Sequence, residues 1–476
     1  MGTSFSPQLR RVLLVTTLGS FLAFLDSTIV NVALQSLATS TGSPLSTIQW
    51  LVTAYLLAVA AVLPVSGWAA GRFGARPVYI LGIAAFGLGS LACGLAGSVG
   101  QLIAFRVVQG IAAALASTAA QILAVRAAGP ERLARVMSVT GVPTILAPII
   151  GPTIGGLLLQ HAGWRWIFLI NLPLCALIVA LAPRMLPPDP ARQPGRLDLP
   201  GVITLALGCV GLTYGLTELG EHRDIASAAV LGPVTAGLAL LAGFVVHALR
   251  TPAPLLDLRL HRNARFAAAS MANFFLGAVI FGAIILMPLY FQIVRHEDTV
   301  TTGLLLIPQG IGIAVAIGGG DKLIKALGTG RTALLGGLIS VVATVPFVFV
   351  TAGTSYWELG AAMTVRGLGV GATVVPIMTA AYRAVPAAAI SDATVQLNVI
   401  QRIGGSISTA LFAVVLQGRL DGATTPAAQA SGFGTAFWWV LAIGLCATAP
   451  TLLLVVAERR PPPARDTSAA DVSSAV

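Results

Sequence analysis

The feature that most restricts this chain is a succession of about fourteen apolar runs, each near the ~20 residues a helix needs to cross a bilayer. They fall at 12–36, 47–66, 78–98, 101–122, 136–159, 165–185, 199–219, 227–249, 266–294, 299–320, 332–352, 357–381, 391–417 and 433–456. In hydrocarbon every backbone N–H and C=O must be paired within the segment, so such runs are predicted to be helices and the chain an all-α polytopic membrane protein. Composition agrees. Of 476 residues 56% are hydrophobic and 9% charged, about a third of the charge of an ordinary soluble protein.

A net charge of +11 would suit a nucleic-acid partner, but the basic residues form short loop clusters without aromatic stacking partners, so none is expected. With the N-terminus in the cytoplasm, one set of loops holds Arg72, Arg76, Arg126, Arg132, Arg135, Arg184, Arg192, Arg196, Arg250, Arg259, Arg262, Arg265, Lys322, Lys325, Arg331 and Arg383. The other holds Arg165, Arg223, Arg295 and Arg419. The positive-inside rule then places both termini in the cytoplasm and favours an even number of spans. The tail, 457–476, rich in Pro, Ala and Ser after Arg460, is expected to be disordered. Cys93, Cys175, Cys209 and Cys446 lie inside apolar runs without metal-ligand spacing, so no metal site is expected. Paired carboxylates with His, or a Ser/His arrangement, are also lacking, which argues against an enzyme.

One acid stands in the first run. Asp26, in Phe24-Leu-Asp26-Ser-Thr-Ile-Val-Asn31, occupies a place where an ionised carboxylate costs at least ~2.5 kcal/mol. It must bind a proton, face a partner or reach a wet cavity, which makes it a candidate proton site. Arg106 and Gln109 lie in the fourth run. Counting 1.5 Å per residue from the opposite face to the N-terminus puts them about 8 and 12 Å deep, and Asp26 about 15 Å below its own outer end, so the three can meet. The fifth run carries Pro148, Gly151, Pro152, Gly155 and Gly156. Proline bends a helix and glycines open a flat face, so this helix is a candidate hinge. Arg366 and Arg402 are two further intramembrane arginines. Phe24, Asn31, Tyr55, Phe281, Tyr290 and Gln292 are candidate lining for an apolar substrate cavity with sparse polar groups. With a single central acid, any molecule held there is expected to be neutral, zwitterionic or singly charged.

Gly67-Trp-Ala-Ala-Gly71-Arg72-Phe-Gly74-Ala-Arg76 resembles the cytoplasmic loop signature of the major facilitator superfamily through Gly67, Arg72, Gly74 and Arg76. Gly71 stands where that family has an aspartate that helps latch the gate. Arg106-Val-Val-Gln109-Gly110 is similar to the family's fourth-helix motif, and the Gly/Pro pattern of the fifth run to the signature of its antiporters. Leu25-Asp26-Ser-Thr-Ile-Val-Asn31, Trp164-Arg-Trp to Asn171, Asp198-Leu-Pro-Gly201, Pro254-Leu-Leu-Asp257 and Gln401-Arg402-Ile-Gly404-Gly405-Ser406 resemble its fourteen-helix drug/proton antiporter branch.

That resemblance implies two six-helix bundles, residues 1–185 and 266–456, with two inserted helices between them at 186–265. It implies that Asp26, Arg106 and Gln109 couple transport to protons and that Gly67, Arg72, Gly74 and Arg76 gate the cytoplasmic side. The implied activity is export of amphipathic drugs or antibiotic-like small molecules in exchange for protons, by a monomer in the lipid of a bacterial inner membrane, with the proton as coupling ion and no cofactor. A proton-coupled symporter or exchanger for a nutrient is the alternative, because a shared fold does not fix the direction of flux.

Overall fold

The computed structural model describes residues 6–189, 197–222, 227–420 and 422–459, and all regular structure among them is helical. The helices are α1 (Pro7–Thr41), α2 (Leu45–Phe73), α3 (Ala75–Leu95), α4 (Val99–His161), α5 (Arg165–Leu169), α6 (Asn171–Met185), α7 (Leu199–His222) and α8 (Ala228–Arg250). There follow α9 (Ala264–Ile293), α10 (Thr299–Leu305), α11 (Ile307–Leu327), α12 (Thr329–Val348), α13 (Tyr356–Arg383), α14 (Ile390–Leu420) and α15 (Pro426–Arg459). Short 3₁₀ turns lie at Leu258–Arg262 and Ala387–Ala389. The expected tail falls outside the described residues from 460 onward.

Local chemistry sets the ends. Ser6 caps α1 by accepting from Leu9 N–H at 3.2 Å, with Pro7 in the first turn where its missing donor costs nothing. Gly42 closes the helix in the left-handed conformation. Asp298 caps α10 and Ser98 caps α4 in the same way as Ser6.

Thirteen helical stretches among the described residues are long and apolar enough to cross a membrane. The fifth expected span, 136–159, lies in the second arm of α4, which is helical on both sides of a single break at Gly129 (φ 64°, ψ 167°). The connection between the fourth and fifth runs is therefore one left-handed residue rather than a loop, a conformation a residue with a Cβ resists.

The buried apolar residues show how the halves meet. Call the end that holds the start of α1, Gly74, Gly129 and the end of α15 the near end. There one cluster draws on both halves of the chain: Leu9 and Leu13 of α1 and Val125 of α4 with Phe266, Ile317, Val375, Leu397 and Leu454. At the far end the clusters are separate. Leu25, Ile29, Leu37, Leu51 and Phe168 form one, and Leu286, Phe291, Phe347, Phe412 and Phe437 another. The halves thus share a core at the near end and keep cores of their own at the far end.

Polar contacts follow the same division. Arg126 donates to Ser391 Oγ at 3.1 Å and Asn398 donates to Gln121 Oε1 at 2.9 Å, both between halves and both on the near side of the middle. The half-exposed face of α1 carries Ser20, Phe24, Ser27 and Asn31 at helical spacing. A polar row with an exposed amide suits a wet cleft, not lipid.

α7 and α8 pack antiparallel, Gly208 against Leu241 and Gly215 against Val234. Through Leu205 and Cys209, α7 joins a cluster with Ala60 and Leu63 of α2 and Val395 and Val399 of α14, so it lies across the seam between the halves. Two of the motifs noted above meet beside it. Asp198 accepts from Gly201 N–H at 3.0 Å, Leu255 N–H at 3.0 Å and His247 Nε2 at 2.8 Å. Burial opposes its charge, but these bonds outweigh it and hold the carboxyl below its usual range.

Candidate functional site: a buried ion pair at the heart of the first half

Asp26 does meet Arg106 and Gln109. Arg106 Nη1 lies 2.7 Å from Asp26 Oδ2 and also donates to Gln109 Oε1 at 3.0 Å, while Arg106 Nε donates to Leu51 O at 3.1 Å. Its guanidinium stacks over the Tyr55 ring, 4.2 Å from the centroid. Asn171 Nδ2 donates to the other Asp26 oxygen at 2.9 Å and reaches Ser90 Oγ at 2.9 Å, which also accepts from Gln109 Nε2 at 2.8 Å. The ion pair is fully enclosed, Asp26 0% and Arg106 1% exposed.

Five helices converge to build this site, α2 contributing Leu51 O and the Tyr55 ring. α1 supplies Asp26, α4 Arg106 and Gln109, α3 Ser90 and the start of α6 Asn171. Gly110 lets α4 approach α2, since a Cβ there would lie 2.5 Å from Tyr55 O. Such an enclosed pair is weak evidence for stability by itself, because desolvation consumes much of the Coulomb gain. Its chemistry is clearer: protonating Asp26 would remove the partner that holds Arg106, so the two share one switchable contact. In this state Asp26 is enclosed against Arg106, contrary to a site continuously open to a wet cavity, and water could reach its carboxylate only if the contact opened.

Asn171 and Ser90 are absent from the sequence-predicted site. A signal existed for Asn171: six residues from Arg165 at 1.5 Å each puts it about 9 Å deep, level with Arg106. Asn171→Ala leaves one Asp26 oxygen without its described donor. It is expected to cost about 1–3 kcal/mol, the penalty of an unsatisfied buried polar group, seen as a lower midpoint of thermal unfolding in detergent. A variant as stable as wild type would mean that Asn171 contributes little to holding the carboxylate.

The six expected cavity residues separate. Tyr55 is buried against Arg106. Phe24 and Phe281 are each 41% exposed, and Asn31 and Gln292 are exposed. Tyr290 corrects the expectation: it is 0% exposed in the far-end core of the second half, its ring edge-on to Phe433 at 5.7 Å and its hydroxyl donating to Thr351 O at 2.7 Å. Helical rotation turns it away from the exposed face that Gln292 shares.

In the expected hinge, Gly151 and Gly155 pack on α1, where a Cβ on Gly151 would meet Thr28 Oγ1 at 2.1 Å and one on Gly155 would meet Ile29 Cγ2 at 3.4 Å. Gly156 has open space. Pro148 and Pro152 are within the helix, and their side chains fall outside the described set. In the expected gate, Gly67 faces α14, with Val395 Cγ2 2.6 Å and Ser391 O 3.3 Å from where a Cβ would stand. Arg72 is exposed, and Arg76 donates to Pro183 O at 2.5 Å. The loop lacks an acid at Gly71, but Asp189, beyond α6, accepts from Ala75 N–H at 2.8 Å and Arg76 N–H at 3.0 Å, placing a carboxylate at the start of α3.

Among the described residues the second half shows no equivalent of the pair. Arg366 is 1% exposed, with Nε donating to Thr344 Oγ1 at 3.2 Å and Nη2 to Val279 O at 3.4 Å, and no carboxylate pairs with it among the described residues. The similar positions of Arg106 and Arg366 thus serve different surroundings.

Two helical halves sharing a core at one end, with a buried ion pair in one of them, define a membrane transporter. The family model of the Major Facilitator Superfamily matches residues 16–409, and the chain belongs to that superfamily. It is 36% identical over 405 residues to the multidrug resistance protein B homolog of Mycobacterium tuberculosis, covering 84% of this chain and 75% of that protein. It is 31% identical over 413 residues to the methylenomycin A resistance protein of Bacillus subtilis, covering 85% and 87%. Among solved structures, the human organic anion transporter MFSD10 superposes with a TM-score of 0.66 at 17% identity, covering 94% of this chain and 100% of that one. The proton:xylose symporter XylE gives 0.66 at 15%, covering 93% and 94%. The resemblance read from the sequence motifs is therefore correct at the level of the superfamily and its drug-efflux members, and the chain is a multi-pass protein of the bacterial plasma membrane.

Proposed function

We propose that this chain exports amphipathic drugs or antibiotic-like small molecules in exchange for protons by alternating access. The observation that carries the reading is the enclosed Asp26–Arg106 pair, a proton-accepting carboxylate whose partner is released when it is protonated. The printed names of the relatives support export of drugs in general. In this reading the chain has fourteen spans with both termini cytoplasmic. Residues 1–185 and 266–456 rock as two bundles, and 186–265 flank them. The near end, where the halves share a core, is then the cytoplasmic one, and the far end, where their buried cores are separate, faces outward. Gly67, Arg72, Gly74 and Arg76 belong to the sealed side, and the glycine face of α4 lets α1 move against it. The protein works as a monomer, with the proton as coupling ion and no cofactor.

The direction of flux tests this. In proteoliposomes loaded with a fluorescent amphiphile, an acid-outside pH gradient is expected to drive the dye out of the lumen. One pH unit supplies ~1.4 kcal/mol per proton, enough for a tenfold gradient. Accumulation of the dye under the same gradient would instead establish symport and end the antiport reading.

A further inference from the structure

The machinery above uses neither Arg366 nor Arg402, and of these two intramembrane cations Arg402 is the one on the seam between the halves. Followed from the near end, α14 contacts the other half at Ser391, Val395 and Asn398, which meet Arg126, Gly67 and Gln121. Arg402 comes one turn beyond Asn398 and is half-buried; Ser406 and Thr409, the next residues on that face, are also half-buried. Its electrostatic neighbours are Tyr55 of α2 and Cys209 of α7, so it sits where both halves and the crossing helix meet. Among the described residues no carboxylate pairs with Arg402 and no hydrogen-bond acceptor meets it. Asp26 is already taken by Arg106, and Arg366, in the same half as Arg402, adds a second positive charge that no carboxylate pairs with among the described residues. An aromatic surface lies beside it: the exposed Phe281 ring covers Gly405, three residues along α14.

We infer that Arg402 is a binding residue for the anionic group of the transported solute, at the floor of the cleft that opens to the far end. A guanidinium receives a carboxylate or similar oxyanion through paired N–H donors, whereas it repels an organic cation. The ligand class is therefore a singly charged amphipathic anion, its oxyanion on Arg402 and its apolar body along the exposed Phe281 ring. The transport consequence rests on the efflux reading; the electrostatic assignment does not.

The test reads the local field directly. With exposed Cys446 replaced by Ser, Ser406→Cys places a thiol one turn above Arg402. Its rates of modification by sulfonatoethyl and trimethylammonioethyl methanethiosulfonate are measured and normalised to a free thiol. The anionic reagent is expected to be favoured about tenfold, the scale of one nearby charge in a partly wet site. Arg402→Gln should erase the preference, and Arg402→Lys should restore most of it. A preference unchanged by Arg402→Gln, or a thiol unreactive to both reagents, overturns the proposal. Protection of the thiol by 1-pyrenebutyrate at about tenfold lower concentration than by its primary amide is expected in the same protein. Equal protection by both, or by neither, overturns the ligand class. Because these rates need no proton gradient, failure of pH-driven efflux leaves them standing, and the two readings fall separately.

Discussion

Asp26→Asn is expected to abolish uphill, pH-driven efflux while leaving downhill solute exchange intact. Under a gradient of two pH units, one-for-one exchange sustains about a hundredfold solute ratio, and the variant should relax it to unity. The reasoning is local. Asp26 is the acid of the enclosed pair, and it is held by Arg106 at 2.7 Å and Asn171 at 2.9 Å. Asparagine has nearly the same shape and keeps an acceptor for Arg106, but it cannot carry a proton on and off. Removing one partner of a buried pair typically costs 3–5 kcal/mol, roughly, because the other charge is left uncompensated. Asp26→Ala should therefore also lower the unfolding midpoint more than Asp26→Asn. Flux and counterflow in proteoliposomes, beside thermal unfolding, separate coupling from stability. Undiminished uphill efflux by Asp26→Asn would remove Asp26 from the coupling step.

How much of this was legible beforehand depends on the range of the interaction. Helix positions follow from apolar runs, because lipid leaves the backbone no alternative to the helix. The meeting of Asp26 with Arg106 and Gln109 follows from depth, a one-dimensional count. Depth fails to give azimuth, and so it cannot tell a cavity-lining Tyr290 from one that helical rotation packs against Phe433. It also fails where two segments distant in sequence trade roles. Nothing in Gly71-Arg72-Phe73-Gly74 says that Asp189 supplies a carboxylate at Ala75 and Arg76. The gap between the runs 101–122 and 136–159 does not say that the two helical arms are joined through the single left-handed residue Gly129. Which end of the molecule is closed is not a property of local pattern at all. Both closures bury apolar surface, and a small free-energy difference selects between them.

That last point makes Gly67 a sensitive position. A Cβ there would lie 2.6 Å from Val395 Cγ2 and 3.3 Å from Ser391 O, across the seam between α2 and α14. Val395 is 0% exposed, and so has little room to yield. The two helices belong to different halves, so Gly67→Leu leaves the interior of each half untouched and loads its strain on the sealed near end. Overpacking of this kind costs about 1–3 kcal/mol. Applied to one of two conformers, that energy moves their ratio by roughly 5- to 150-fold. The expected outcome is a near-wild-type unfolding midpoint with a population shifted toward the state closed at the far end, and efflux reduced in proportion. Spin labels at Thr47 on α2 and Gly418 on α14, both exposed near the far end, should report a shorter distance in Gly67→Leu than in the parent. An unchanged distance distribution with wild-type efflux would show that the α2–α14 contact does not govern the seal. A collapse of the unfolding midpoint would instead assign Gly67 to the stability of the fold.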